Sequence, residues 1–287
     1  MTARKEDVAD LGRFLKLDDP RRVAALLLAG TAGQANAVAL AYQRHMLDRG
    51  LAPATINRRL SSVRRLAKLA RRLGLVEWSL DIEGLKAESY RDTSGPGHEG
   101  WVKLLAAATA AASGGSAKGL RGLAIVQMLH DNGLRRGELV GLDLADVDIA
   151  GSRVAVAGKG KSGERRWLTM NPPTTAALAA WLGRRGPTPG PAFLRLDRGA
   201  GDGMGRLTGR AVHLIVGELG DAAGLGRPAR PHGLRHAGAT RLLEITNGDV
   251  RGVQRWTRHA DVNVVLAYDD CRVDLAGKMA RALGSDA

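Results

Sequence analysis

Apolar positions along the 287-residue chain recur mostly at spacings of three and four, the period of helices with one buried face. Residues 6–29 read as helical: Leu11, Phe14 and Leu15 fall at helical spacing, and "RRVAALLLAG" carries its own apolar face up to Gly30. "TAGQANAVALAYQRHMLDRG" predicts another helix, with Val38, Tyr42 and Met46 stepping by four and Gly50 as a stop. Pro53 suits the start of the next, in which Ile56, Leu60, Val63, Ala67, Ala70 and Leu73 form one apolar stripe. "RDTSGPGHEG", residues 91–100, is turn-forming and nearly free of apolar side chains, and reads as an interdomain linker. Beyond it, "WVKLLAAATAAA" and "GLRGLAIVQMLHDNGL" are helical in pattern. "SRVAVAGKGKSGERRWLTM" changes period. Val154 and Val156 alternate, a Gly/Lys/Ser turn follows, and an extended run resumes at Trp167, which predicts a β-hairpin. Helical patterns return over 173–184, 208–224, 234–246 and 249–258, and "RVDLAGKMARAL" puts Ala276, Met279, Ala280 and Leu283 on one side. The expected fold is mainly α with a small β-hairpin. It comprises a helical domain over residues 1–90, the linker over 91–100 and a second domain over 101–287.

Composition narrows the function. The length allows two cores of ordinary size. No apolar run reaches the length of a membrane span, and "MTARKEDVAD" contains no hydrophobic signal core. A single cysteine, Cys271, excludes an internal disulfide framework and a multi-cysteine metal cluster. A cytoplasmic protein is the expectation. The formal charge of +14 and a pI near 10.8 point to a polyanionic partner, nucleic acid first. Most of the basic residues are arginine in an alanine- and glycine-rich chain. A compositional bias produces that pattern too, so clustering is the better test. On the helix that starts at Pro53, Arg58, Arg59, Arg64, Arg65, Lys68, Arg71 and Arg72 are basic and no acid sits among them. Solvated helix faces usually intersperse acids for i,i+4 pairing, so this face reads as a contact for the DNA backbone.

Several short stretches could carry chemistry. "PHGLRHAGAT" sets His232 and His236 four apart with Arg235 on the same face as His232. Zinc pairs of the HExxH kind place a glutamate beside the first histidine; here the neighbour is Gly233. A fixed guanidinium disfavours a divalent cation and favours a phosphate, so His236 reads as a structural hydrogen-bonding residue. "NGLRRGEL" offers Arg135 with Glu138 one helical turn on, either a local ion pair or the second jaw of a phosphate clamp. "GKGKSGERR" lacks the spacing of a phosphate-binding P-loop. It reads as a basic hairpin tip, with Lys159 and Lys161 able to enter a DNA groove and a lysine able to donate a proton. In "LDLADVDIA", Asp143, Asp146 and Asp148 alternate with apolar residues, as in a helix end running into a strand, rather than forming a two-metal site. "RHADVNVVLAYDD" places His259 nine residues before Tyr268, one of only three tyrosines. A free phenol has a pKa near 10 and becomes a nucleophile only where cations or a base stabilise its phenolate.

The order of these pieces resembles the tyrosine recombinase (phage integrase) family across the whole second domain. "GLRRGEL" looks like the first arginine box, "HGLRHAGAT" the second and "RHADVNVVLAY" the last, with Lys159 on the hairpin between them. The resemblance implies a two-domain architecture, with a helical core-binding domain and an integrase-like catalytic domain clamped around duplex DNA. It implies that Arg135 and Arg235 hold the scissile phosphate and that Tyr268 attacks it to leave a 3′-phosphotyrosyl bond. Lys159 would protonate the leaving 5′-oxygen, His232 would assist proton transfer, His259 would hydrogen-bond the phosphate, and Glu138 would orient the cluster. No cofactor, metal or ATP is implied. The partners implied are double-stranded DNA with specific recombination sites and further copies of the chain, four on paired sites, with residues 272–283 suited to docking on a neighbour.

The sequence departs from the family pattern in places. Thr257-Arg258-His259 stands where Leu-Gly-His is usual, Val264 and Val265 replace paired threonines, and Asp269 and Asp270 follow the tyrosine. These departures remove no catalytic group. They favour a phage or mobile-element integrase over the housekeeping Xer enzymes, and the expectation is of an enzyme without an extra arm-binding domain. Two rival readings are a type IB topoisomerase, which relaxes DNA with similar chemistry, and a non-catalytic DNA-binding regulator.

Overall fold

The computed structural model describes residues 2–86, 95–158, 165–196, 205–269 and 277, the backbone alone for 2–5 and 267–269. The chain divides into two compact units, residues 1–91 and 92–287.

Among the described residues, unit 1 holds four helices: α1 (Thr2–Leu15), α2 (Pro20–Leu28), α3 (Ala32–Asp48) and α4 (Pro53–Arg72). The pattern over 6–29 covers two helices, not one run. Lys16 takes a positive φ of 57°, and Asp19 caps α2 by accepting from the Arg21 N–H at 2.8 Å, with Pro20 at the first helical position. Thr31 and Gln34 form a reciprocal cap on α3. Leu11, Leu27, Tyr42, Met46, Ile56 and Leu60 pack into one core. Leu73 departs from the expected stripe: α4 ends at Arg72, and Leu73 is 64% exposed.

Unit 2 is helical around a small sheet. In order come α5 (Gly97–Ser113), α6 (Ala117–Asp131), α7 (Arg136–Gly141), a 3₁₀ turn (Leu144–Asp146), β1 (Val147–Asp148), β2 (Arg153–Ala157), β3 (Arg165–Thr169), α8 (Pro172–Arg185), α9 (Gly209–Ala222), α10 (Pro231–Ile245), α11 (Val250–Thr257) and α12 (Asn263–Asp269). The three strands form an antiparallel sheet in the order β1-β2-β3, with Ala155 opposite Trp167. The linker expected over 91–100 is shorter at its C-terminal end. Helix α5 begins at Gly97, and Gly100 and Trp101 are buried in it, so four supposed linker residues serve the first turn. Residues 91–94 lie outside the described residues, as does the amphipathic segment 272–283 apart from Gly277. The short α12 is an element that the apolar spacing did not single out.

The core of unit 2 gathers Leu104, Ile125, Met128, Leu129, Leu178, Trp181, Phe193 and Leu234. Helix α6 is buried on nearly all sides over Ala124–His130, which explains why apolar residues surround its axis there, with only Gln127 and His130 polar. Its C-terminal end is tied down by polar contacts. His130 stacks on Trp101 with ring centroids 3.7 Å apart. Asp131 sits 2.7 Å from His130 Nδ1 and accepts from Thr174 Oγ1 at 2.8 Å and Asn171 Nδ2 at 3.2 Å. Burial pushes the Asp131 carboxyl up, but these hydrogen bonds outweigh it and hold the pKa below the usual range. The turn that follows α6 therefore leaves from a fixed point.

Candidate active site

That turn begins the site. Asn132 donates to the Thr169 carbonyl at 2.8 Å, which anchors it to β3. Gly133 takes φ +53°, and a Cβ there would lie 2.6 Å from the Trp256 ring. Glycine meets both demands, the left-handed backbone and the close approach. Leu134 is then buried, and Arg135 sits just before the first turn of α7. Glu138 reaches back to it twice: one carboxylate oxygen accepts from the Arg135 N–H at 2.8 Å and the other from Nη1 at 2.7 Å. The Arg–Glu spacing visible in the sequence is thus both a helix cap and an ion pair.

Helix α10 supplies the second arginine. Pro231 fits its first position, and Gly233, Ala237, Gly238 and Ala239 are all buried. Their small size lets the helix approach its neighbours closely: a Cβ on Gly238 would lie 2.4 Å from the His130 carbonyl oxygen. Arg235 is carried into this interior and is only 1% exposed. Its guanidinium donates to the Gly133 and Thr257 carbonyls, and Nη2 lies 3.1 Å from His259 Nε2. His236, also buried, has its Nδ1 3.3 Å from Thr240 Oγ1.

The end of α11 joins the two. Arg135 Nη2 donates to the carbonyls of Thr257 at 3.3 Å and Arg258 at 3.0 Å, so Arg135 and Arg235 share the Thr257 acceptor. Arg258 closes α11 in the left-handed region at φ 57°. Its side chain turns inward, donating to Glu138 at 2.8 Å, Gly133 O at 2.7 Å and Trp256 O at 2.8 Å. The chain then delivers His259 next to Arg235. A buried concentration of positive charge results, and it sets the protonation states around it. Burial and the Arg235, Arg135, His232 and Arg258 charges bring His259 down to about 4. His232 is exposed on α10. Its ring is also lowered, first by desolvation and then by Arg235 and Arg135. Burial pushes Glu138 up, but Arg258 first and Arg135 next hold it below the ordinary carboxylate range. Two neutral imidazoles, three guanidiniums and one charged carboxylate make a site suited to an anion.

The structure brings together Arg135, Glu138, His232, Arg235 and His259. Lys159 and Lys161 lie outside the described residues, as does the side chain of Tyr268, whose backbone belongs to α12. In the sequence Arg258 stands out only as an irregularity. The signal available was an arginine at a helix end where a left-handed backbone favours glycine. The three aspartates each have their own arginine: Asp143 pairs with Arg206 at 2.5 Å, Asp146 with Arg165, and Asp148 with Arg153 at 2.7 Å. Among the described residues no group of three or more His, Cys, Asp or Glu side chains could hold a metal ion.

The basic helix of unit 1 requires a correction. Its acids are absent from α4 but come from α1. Arg59, whose side chain is 16% exposed, donates to Asp10 at 2.5 Å, and Arg58 pairs with Asp7. Arg64 donates through Nε to the Ile82 carbonyl at 3.1 Å. Arg59 is therefore an interior ion-pair residue, and Arg58 and Arg64 are engaged within the unit. Arg65, Lys68, Arg71 and Arg72 are exposed. Asp10 also accepts from the Tyr42 hydroxyl and Arg13, both at 2.8 Å, and from Arg49 at 3.3 Å. Burial raises its pKa, but Tyr42, Arg13, Arg59 and Arg49 together bring it down to about 2.

Comparison with known proteins shows the family of the chain. The model of the phage integrase family matches residues 98–273. The tyrosine recombinase slr0733 of Synechocystis sp. is 40% identical over 243 residues, covering 83% of this chain and 75% of that protein. A tyrosine recombinase of Synechococcus elongatus is 36% identical over 275 residues, covering 93% and 84%. Among solved structures, the XerH site-specific recombinase bound to palindromic difH substrate in a post-cleavage complex superposes with a TM-score of 0.64. The identity is 19%, covering 88% of this chain and 72% of that one. No helix among the described residues is long and apolar enough to cross a membrane.

Proposed function

The chain belongs to the phage integrase family and is a tyrosine-type site-specific recombinase, and we propose that it exchanges DNA strands through a 3′-phosphotyrosyl intermediate. Arg135 and Arg235 hold the non-bridging oxygens of the scissile phosphate and neutralise charge as it develops. Tyr268 Oη attacks phosphorus in line while the bond to the 5′-oxygen breaks. His232, neutral and beside both arginines, takes the phenolic proton, and Lys159 gives a proton to the leaving 5′-oxygen. His259 hydrogen-bonds the phosphate. Rejoining reverses the step: a 5′-hydroxyl of the partner strand attacks the phosphotyrosine and tyrosine leaves. One phosphoester replaces another, so the cycle needs no ATP, and the guanidinium groups supply the positive charge. The observation that carries this reading is the convergence of Arg135 and Arg235 on the Thr257 carbonyl, with the His259 ring against Arg235.

In this reading unit 1 binds duplex DNA through Arg65, Lys68, Arg71 and Arg72, with Lys161 on the hairpin as a further contact. Four protomers act on two paired sites, with residues 272–283 docking on a neighbour. The departures around Arg258 and Tyr268 support service to a phage or mobile element.

The test is covalent trapping. Nicked suicide duplexes are made from DNA flanking the gene, incubated with protein and resolved on a denaturing gel. Wild type forms a protein–DNA adduct and Tyr268→Phe forms none. An adduct that persists in the phenylalanine variant places the nucleophile elsewhere. Relaxation of plasmids by the monomer without sequence preference assigns the chain to topoisomerase chemistry instead.

A further inference from the structure

Arg258 closes a ring of contacts around Arg135. Arg135 donates to the backbone carbonyl of Arg258 at 3.0 Å, the Arg258 side chain donates to Glu138 at 2.8 Å, and Glu138 accepts from Arg135 at 2.7 Å. The same side chain donates to Gly133 O at 2.7 Å and Asn132 O at 3.3 Å, the two residues that lead into Leu134 and Arg135. Gly133 O also accepts from Arg235. One guanidinium therefore grips the turn that carries the first arginine, the carboxylate that aims it, and an acceptor that holds the second.

Capping α11 does not require this side chain. The position lies in the left-handed region, where glycine is unstrained and arginine is not. What arginine adds is a forked donor, here only 9% exposed on its side chain, whose hydrogen bonds, apart from one to Trp256 O in its own helix, end on Glu138 and on the Asn132–Gly133 turn.

We propose that Arg258 is a positioning residue for strand cleavage, acting through Glu138 and the 132–133 turn to hold Arg135 in register with Arg235. It never touches the phosphate. The inference rests on the recombination reading above, and it assigns the reaction a residue outside the set of groups that meet DNA. Glu138 stays ionised between the two guanidiniums, which keeps the ring closed.

The experiment measures single-turnover cleavage of the nicked duplex, affinity for the same DNA, and melting temperature. It compares wild type, R258G, R258K, E138Q and the R258G/E138Q double variant. R258G should cleave roughly ten- to a hundredfold more slowly, the cost of a slight misplacement of a catalytic group, with DNA affinity within a few-fold of wild type. E138Q should be slowed to a similar extent. The double variant should be no slower than the slower single, because both act in one ring. R258K, which keeps the charge but not the fork, should recover part of the rate. Wild-type cleavage by R258G overturns the inference, and so do effects that multiply in the double variant. If R258G does not stay folded, E138Q decides: a folded E138Q that cleaves at the wild-type rate overturns the inference as well. A wild type that forms no adduct overturns the recombination reading itself and this inference with it, whereas adduct formation matched by R258G overturns only the role of Arg258.

Discussion

Arg135 and Arg235, from two separate helical segments, donate to one acceptor, the carbonyl oxygen of Thr257. Like charges converge only where something holds them. Here Glu138 neutralises part of the cluster, and the carbonyls of Gly133, Thr257 and Arg258 accept the guanidinium donors. A guanidinium has five N–H donors. The three contacts of Arg135 leave donors over for an incoming phosphate, so the pocket is oriented before substrate arrives.

Arg235→Lys should therefore abolish most cleavage without unfolding the protein. Lysine keeps the charge but cannot bridge Gly133 O, Thr257 O and the His259 ring at once. The expected loss in cleavage rate is roughly a hundred- to a thousandfold, read in single-turnover assays. Melting temperature should also fall, by a few degrees, as buried acceptors lose partners.

Protonation of His259 should report DNA binding. In the free protein its pKa stands near 4 against an ordinary 6.5, through burial and then the Arg235, Arg135, His232 and Arg258 charges. Its neutral form is favoured by the fold, so its contribution to stability is complete above pH 6.5 and is lost as pH falls toward 4. A bound phosphate offsets the arginine charge and raises the ring's pKa. Between pH 4 and 6.5, DNA binding should take up protons and tighten as pH falls. NMR titration of the His259 ring with and without DNA checks this; an unmoved midpoint refutes it.

Unit 1 should be acid-sensitive at Asp10. Its folded pKa of about 2 lies below the ordinary 3.8, so its ion pairs contribute fully above pH 3.8 and fade as pH drops through 2. The shift corresponds to about 2 kcal/mol. Asp10→Asn leaves Arg13, Arg49 and Arg59 without their shared carboxylate. It should destabilise by about 3 kcal/mol at neutral pH and lose that acid limb in denaturant melts.

Basic residues of α4 should separate into two classes. Alanine at Arg65, Lys68, Arg71 or Arg72, all exposed, should weaken DNA binding and lower the salt dependence by about one ion for each phosphate no longer neutralised. Arg59→Ala should instead lower melting temperature with the salt slope unchanged, because Arg59 serves Asp10. Binding isotherms across a salt series distinguish the two; a changed slope in Arg59→Ala refutes the division.

Gly238→Ala should be costly despite adding one methyl. Its Cβ would meet the His130 carbonyl oxygen at 2.4 Å and the Trp256 ring at 3.0 Å, forcing α10 away from α6 and carrying Arg235 with it. Overpacking of this kind costs about 1–3 kcal/mol, and cleavage should fall further than stability alone accounts for.

The sequence by itself determined the helical periods, the hairpin, the boxes around Arg135, Arg235 and Tyr268, and the excess of positive charge, because each is written in local spacing or composition. Glu138 was also legible, since its partner is one helical turn away. Only the tertiary structure decided which charges face solvent and which face each other. The acids that pair with Arg58 and Arg59 lie on α1, across the four-helix unit, and no window along α4 contains them. Arg258 looked like a break in a motif because its partners Glu138 and Gly133 are more than a hundred residues away. Ion pairing and burial depend on distance in space, and the chain encodes that distance only through the packing of whole helices.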